Sequence, residues 1–259
     1  MATSDIRLRM WQYRELVINL TIIELKNRYQ NTALGFFWSI LGPFLLATVL
    51  YFVFSNIFPQ EENFAANVLV GIMAWRFFAA GTMSSLYSIV GKPSLITKVY
   101  IPRKILTLST ALSVLISSTL EFIILLPIIF VLTGGIPVTI LLFPLVSLLY
   151  FWLVYGVSLF LSSLFVYFRD LNQIWDVVIF SGFFLSPIVY PLSRIPDSYM
   201  TYYLLNPITR LIIMYRDVMV AGNLPSIGSL IVVISFCVIV FFAGSFVFNK
   251  LQRRFAEAV

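Results

Sequence analysis

The sequence predicts an all-α integral membrane protein. It reads as a single transmembrane domain over residues 1–259, with six transmembrane helices, an N-terminal amphipathic interfacial helix, and outer re-entrant helices between spans five and six. Three observations point there. Of 259 residues, 60% are AVILMFWYC and only 11% are charged, with a mean hydropathy of +0.97. Soluble domains carry roughly 25% charged residues, and so few charges cannot coat a body of this size. Apolar stretches of membrane-crossing length recur along the chain, and Lys and Arg gather in alternate connections.

Residues 5–31 come first. Ile6, Met10, Tyr13, Val17, Leu20 and Ile23 recur at three- and four-residue spacing, and Arg7, Arg14, Asn19, Lys26 and Arg28 fall largely off that stripe. This pattern describes an amphipathic helix on the cytoplasmic leaflet. It serves either as an anchor on anionic lipid or as a collector of an anionic headgroup through Arg7, Arg9, Arg14 and Arg28. The segment lacks an apolar h-region closed by a small-residue cleavage site, so it is expected to be retained.

A helix needs about 20 mostly apolar residues to cross the hydrocarbon core. Residues 34–58 carry no charge and form span one, and 67–90, apolar except for Arg76, form span two. From Ile105 to Phe168 the only charge is Glu121, and the break at Thr133-Gly134-Gly135-Ile136-Pro137 divides that stretch into spans over 103–132 and 139–168. Span five covers 171–190 and ends at Pro191; span six covers 227–248. Between them, 196–218 is too polar to cross and is cut by Asn206-Pro207, which fits a pair of re-entrant or interfacial helices.

Six spans put both termini on one side. Thirteen of the 17 basic residues lie on that side: in the N-terminal segment, at Lys92, Lys98, Arg103 and Lys104, at Arg169, and after span six. The positive-inside rule makes it the cytoplasm, giving a multi-pass inner-membrane protein with both termini cytoplasmic.

The loop over 93–102 can form a short helix, with Pro93 in its first turn and Pro102 as its stop. With Leu95, Ile96, Val99 and Tyr100 exposed, it suits a docking element; the plainer alternative is a connector tucked under the bundle.

The chain has no His, and its single Cys237 lies inside an apolar run, so neither disulfides nor Cys/His metal sites are expected. The net charge of +6 reflects topology, and no nucleic-acid partner is expected. Aromatics concentrate in span one (Phe36, Phe37, Trp38, Phe44, Tyr51, Phe52, Phe54) and in span five (Trp175, Phe180, Phe183, Phe184, Tyr190). Their faces can stack on sugar C–H surfaces while Tyr and Trp tips bond hydroxyls; interfacial belts or lipid contact are the plainer uses. Arg76 and Glu121 lie at similar depths, about 14 and 17 Å from the outer ends of their spans at 1.5 Å per residue. Intramembrane charges need partners, so an Arg76–Glu121 pair is expected, either bracing two helices or lining a pore. Arg169 at the end of span four is either a helix-end anchor or ion pair, or a contact with the short 93–102 helix or with a lipid diphosphate.

Several segments resemble the polysaccharide-exporting ABC transporter permeases, the membrane subunits of O-antigen, capsule and teichoic acid exporters. These are Arg28-Tyr29-Gln-Asn-Thr32-Ala-Leu34-Gly35-Phe-Phe-Trp38 with Leu41-Gly42-Pro43, then Ile101-Pro102, Phe168-Arg169-Asp170-Leu171, Phe184-Leu185-Ser186-Pro187-Ile188-Val189-Tyr190 and Asn206-Pro207. The resemblance covers essentially the whole chain in order. It implies a homodimeric pore for a lipid-linked polysaccharide, driven by two copies of a nucleotide-binding ATPase subunit that holds the ATP and Mg. This chain has no GxxxxGK[ST] loop and carries no cofactor of its own in that reading. The resemblance makes 93–102 the coupling helix, with Lys92, Pro93, Ser94, Leu95, Ile96, Thr97, Lys98, Val99, Tyr100 and Arg103 meeting the ATPase. Phe36, Phe37, Trp38, Tyr51, Phe52, Phe183, Phe184 and Tyr190 then face the glycan, and Arg7, Arg9, Arg14, Arg28 and Arg169 its lipid headgroup.

The alternatives are an ion-coupled secondary carrier centred on Glu121, an ABC permease for another amphipathic cargo, or an intramembrane enzyme. The enzyme needs convergent acids or a metal, and the chain has neither His nor a D-x-D pair.

Overall fold

The computed structural model describes residues 2–30, 35–57, 62–98 and 101–258, with the side chains of 13–255 and 258. Among them the chain is helical, without strands. The helices are α1 (Ala2–Tyr29), α2 (Phe37–Phe54), α3 (Phe64–Val90), α4 (Pro93–Lys98), α5 (Lys104–Thr133), α6 (Phe143–Phe165), α7 (Leu171–Leu185), α8 (Asp197–Leu205), α9 (Pro207–Arg216), α10 (Ile227–Leu251) and α11 (Phe255–Ala258).

Among the described residues, five helical segments are long and apolar enough to cross a membrane: α2, α3, α5, α6 with the 3-10 turn before it, and α10 with its C-terminal extension. The fifth expected span is shorter than its predicted 171–190. Pro187 disfavours helix at the residue before it, and Ser186 is extended (φ −98°, ψ 144°), so α7 stops at Leu185. Its 15 residues rise about 22 Å, against a hydrocarbon core about 30 Å thick.

Local chemistry explains most other boundaries. α5 ends where Gly134 takes φ +73° and its N–H returns to the Phe130 carbonyl at 2.9 Å. The α8–α9 break falls at Asn206, whose side chain accepts from the Ile208 N–H at 3.0 Å, with Pro207 at the first helical position. Ser226 caps α10 in the same way, accepting from Ser229. The segment 196–218 is therefore two helices, α8 and α9, running into a π-helical turn, Asp217–Ala221.

α3 is the central helix. It is buried along most of its length and packs on α2, α5, α6, α7 and α9. In lipid, helices gain little from the hydrophobic effect and associate through close packing and interhelical hydrogen bonds. Both devices appear. Gly156 of α6 and Gly244 of α10 let those two backbones touch, and Gly81 of α3 fits against Val154 of α6. Ser88, Thr107 and Ser162 join α3, α5 and α6 in a buried hydroxyl ladder with steps of 3.1 and 3.2 Å.

α1 lies against α5, with Tyr13, Leu16, Val17, Leu20 and Thr21 turned inward. The expected stripe needs one correction. Ile23 is 49% exposed, and together with Ile18 and Ile22 it forms an outward apolar strip. The inward face continues instead through Glu24 and Arg28, because both polar groups find partners inside.

Candidate functional site

At the C-terminal end of α3 the chain turns at Gly91-Lys92 into α4. The turn is braced from two sides. Lys92 Nζ forms an ion pair with Glu24 of α1, and both side chains are largely buried. On the other side, Arg103 donates to the Gln252 carbonyl, and its guanidinium lies 5.7 Å from the centre of the Phe255 ring. Phe255 is fully buried, packed edge-on to Phe248 at 5.4 Å and near Tyr167 at 6.2 Å. Tyr167 Oη also donates to the Leu251 carbonyl at 2.9 Å. The C-terminal residues thus fold back as a wedge beneath the α4–α5 corner.

This arrangement corrects the expected docking face. α4 spans Pro93–Lys98, shorter than the predicted 93–102. Ile96 is 6% exposed and packs into the bundle, while Leu95 is half-buried. In a helix of under two turns only one side can face out, and the apolar residues take the inner one. Lys92 and Arg103 act as internal braces, so the outward residues are Pro93, Ser94, Thr97 and Lys98. Val99 and Tyr100 lie outside the described residues.

The second feature is a polar cavity of about 250 Å³ within the bundle, where α1, α2, α3 and α5 meet. Arg28 enters from α1 and donates to Ser84 Oγ at 3.1 Å; Arg76 comes from α3, and Ser117, Ser118 and Glu121 from α5. Ser39 of α2 lines the same cavity, within hydrogen-bonding reach of the Glu121 carboxylate. Arg76 and Glu121 thus occupy one cavity, as their depths predicted, but no direct ion pair joins them. Glu121 instead sits in the combined field of Arg76 and Arg28. Arg28, expected at a lipid surface, points into this cavity. Arg14 is exposed on α1, and Arg169 is exposed with its guanidinium 5.3 Å from the Phe165 ring centre. The side chains of Arg7 and Arg9 lie outside those described.

The aromatics divide by position. Phe37, Trp38 (55% exposed) and Phe52 (70%) project from α2, and Phe184 (57%) from α7. Others pack within the protein. Phe36 meets Tyr29 edge-on at 5.1 Å and Phe183 packs against Trp75 at 6.3 Å, whereas Tyr51 lies 6.4 Å from Phe64 yet is itself exposed. Tyr190 Oη donates to the Phe184 carbonyl at 2.9 Å and lies 3.2 Å from Tyr203 Oη, which pins the chain after α7.

Three functional contacts escaped sequence reasoning. Glu24 is an acid on a largely basic helix, and only its place on the inward face could have marked it. Phe255 sits beyond the last span, in a segment read only for its charge. Arg216 donates to the carbonyls of Asn67 (3.0 Å) and Ile188 (2.8 Å), tying α9 to the start of α3 and to the chain after α7. Gly71 makes room for it, since a Cβ there would lie 2.8 Å from the guanidinium.

Comparison with known proteins accounts for this architecture. Residues 15–220, most of the chain and all helices from α2 to α9, match the ABC-2 type transporter family. The chain belongs to that family. Among its relatives, the O-antigen export system permease protein RfbA of Myxococcus xanthus is 31% identical over 257 residues, covering 96% of this chain and 97% of the relative. The protein of the same name from Klebsiella pneumoniae is 30% identical over 250 residues, 94% of each chain. The polysialic acid transport protein KpsM of Escherichia coli is 25% identical over 240 residues, 87% of this chain and 89% of the relative. As an ABC-2 type transporter, this chain carries the membrane-embedded part of such a system, and the α4 corner and the charged cavity are the features for which a transport role has to account.

Proposed function

We propose that this chain is the permease subunit of an ATP-driven exporter moving a lipid-linked polysaccharide outward across the inner membrane. Relatives similar over nearly the whole chain are named for O-antigen export and polysialic acid transport, which supports a polysaccharide cargo. Two copies of this chain form the path, and two copies of a nucleotide-binding ATPase subunit supply the energy, holding ATP and Mg. α7 makes the sixth crossing, and both termini face the cytoplasm. α1 and the C-terminal wedge both meet the α4 corner, the end where most Lys and Arg fall, and that location supports the sidedness.

The observation that carries the reading is the double brace on α4. A six-residue helix is marginal on its own. Held by Glu24–Lys92 on one side and by Arg103 with Phe255 on the other, it can act as a stiff lever at the end of the central helix α3. A push on Ser94, Thr97 and Lys98 is then delivered to α3, α5 and α1 together. The outward aromatics Phe37, Trp38, Phe52 and Phe184 form walls of the path between the two copies, offering stacking faces without charged wells that would trap a glycan.

The test is co-purification with the products of neighbouring genes in mild detergent, followed by ATPase assays. A stoichiometric ATPase is expected to come down with the chain. Its hydrolysis should fall when Ser94, Thr97 and Lys98 are replaced by Gly and Ser, with the complex still assembled. A chain that purifies alone overturns the reading and moves attention to Glu121 as the acid of an ion-coupled carrier. Unchanged hydrolysis in the loop variant overturns the coupling role of α4.

A further inference from the structure

Three ionisable side chains line the cavity between α1, α2, α3 and α5, and their charges do not cancel. Arg28 and Arg76 bring two positive charges, and Glu121 brings one negative charge. A single positive charge is left over. Arg76 lies about 18 Å from one end of α3 and about 21 Å from the other, deep in a membrane-crossing helix. It makes no hydrogen bond or ion pair among the described residues, and the field of Glu121 is shared with Arg28. A guanidinium at that depth is costly unless something compensates it.

The polar groups around the space are mostly donors. Ser84 Oγ accepts from Arg28 at 3.1 Å, which leaves its own hydrogen to donate. Ser118 of α5 adds a second hydroxyl, while Ser117 is already committed to the Ser113 carbonyl at 2.9 Å. Phe77, Ala80 and Val114 supply apolar wall between them. On the α2 side the Arg76 guanidinium lies against Gly42, where a Cβ would come within 3.3 Å. The space, about 250 Å³, is ample for a small ion with part of its hydration shell.

Charge selects the kind of ion. One monovalent anion cancels the excess. A doubly charged one would leave the cavity negative and press its oxygens against the Glu121 carboxylate. A halide accepts from any direction, so it needs no fixed geometry from its donors. Guanidinium is weakly hydrated and gives up water readily to such a partner.

We propose that this cavity is a binding site for a small monovalent inorganic anion, with chloride as the physiological example. Arg76 and Arg28 hold the ion, and the hydroxyls of Ser84 and Ser118 complete its shell. The ion is a resident part of the fold that neutralises the leftover charge and links α1 to α3. The assignment rests on charge and donor chemistry and is independent of the export reading.

The experiment uses the purified full-length chain in detergent at constant ionic strength, with gluconate replacing chloride. Thermal unfolding and the line broadening of the chloride NMR signal are read together. The melting temperature is expected to rise with chloride and to saturate, and bromide should substitute for it. Arg76→Gln and Arg28→Gln should each weaken the chloride midpoint by about tenfold or more, the worth of a charge-assisted hydrogen bond. Lys250→Gln, which removes an exposed charge at the end of α10, should leave the midpoint unchanged. Glu121→Gln should tighten chloride binding, a gain that misfolding cannot imitate. That variant decides the matter should an arginine variant fail to fold, and unchanged or weaker binding in it overturns the proposal. So does a chloride response that never saturates, or one that survives Arg76→Gln. Inorganic phosphate displacing chloride at equal concentration overturns it too, and assigns the cavity to a phosphate group instead.

Discussion

Gly244 of α10 sits against the carbonyl of Gly156 of α6 so closely that a Cβ on Gly244 would overlap that oxygen. The contact is reciprocal, since a Cβ on Gly156 would lie 2.8 Å from the backbone nitrogen of Phe241. α6 and α10 form the most extensive helix pair among the described residues, and two glycines set how near they approach.

Gly244→Val is therefore expected to force the two helices apart and to cost about 1–3 kcal/mol or more, as overpacking does in well-packed cores. Gly228→Ala in the same helix is the control. Nothing lies within 4 Å of its Cβ position, and the substitution should be neutral or mildly stabilising. Thermal unfolding of the detergent-solubilised protein separates the two. Equal effects at both positions would show that the crossing is not set by the glycines.

Two buried tyrosines in the core predict opposite responses. Tyr215 stacks on Phe122 at 5.1 Å and donates from Oη to Ser147 Oγ at 2.9 Å. Tyr215→Phe leaves the Ser147 hydroxyl buried without that bond and should cost about 0.6–1 kcal/mol. Tyr150 is equally buried, but its hydroxyl has no hydrogen-bond partner among the described residues. Burying an unpaired hydroxyl is itself unfavourable, so Tyr150→Phe is expected to be neutral or stabilising. Melting curves of the two variants should move apart; a larger loss for Tyr150→Phe would contradict the assignment.

Asp217, in the turn after α9, gives a pH signature. Burial pushes its carboxyl above the usual carboxylate range, and the neighbouring Arg216 opposes that shift only in part. A raised folded value means that the folded state favours the protonated acid. Its contribution to stability is therefore fully present below the ordinary Asp pKa of about 3.9 and is lost as pH rises through the raised value. Asp217→Asn should raise the melting temperature at neutral pH, and the gain should shrink as the pH falls toward about 4. A gain that stays constant across that range would assign the effect to packing.

Much of the fold could be read from local patterns. The helix breaks at Gly134, Asn206-Pro207 and Pro187 follow from residues that act where they stand. The depth of Arg76 and Glu121 came from counting along helices, and both reach one cavity. The face of α1 was harder. Ile23 continued a plausible apolar stripe, yet the helix turns Glu24 and Arg28 inward because their partners, Lys92 and Ser84, come from distant parts of the chain. α4 shows the same limit. Its position was legible from Pro93, but nothing local distinguishes an exposed Ile96 from one that packs under its own helix.

The sequence by itself determined that this chain lives in a membrane, where its long apolar helices lie, which residues end most of them, and that its basic residues gather in alternate connections. These are properties of composition and of short-range periodicity, and they need no knowledge of neighbours. Only the tertiary structure decided that Arg28 joins Arg76 and Glu121, that Lys92 and Arg103 brace the α4 corner from within, and that Phe255 wedges beneath it. Those pairings depend on how each helix is rotated and how it crosses its neighbours. In lipid that is settled by close-packed contacts such as Gly156–Gly244, between residues that the chain itself keeps far apart.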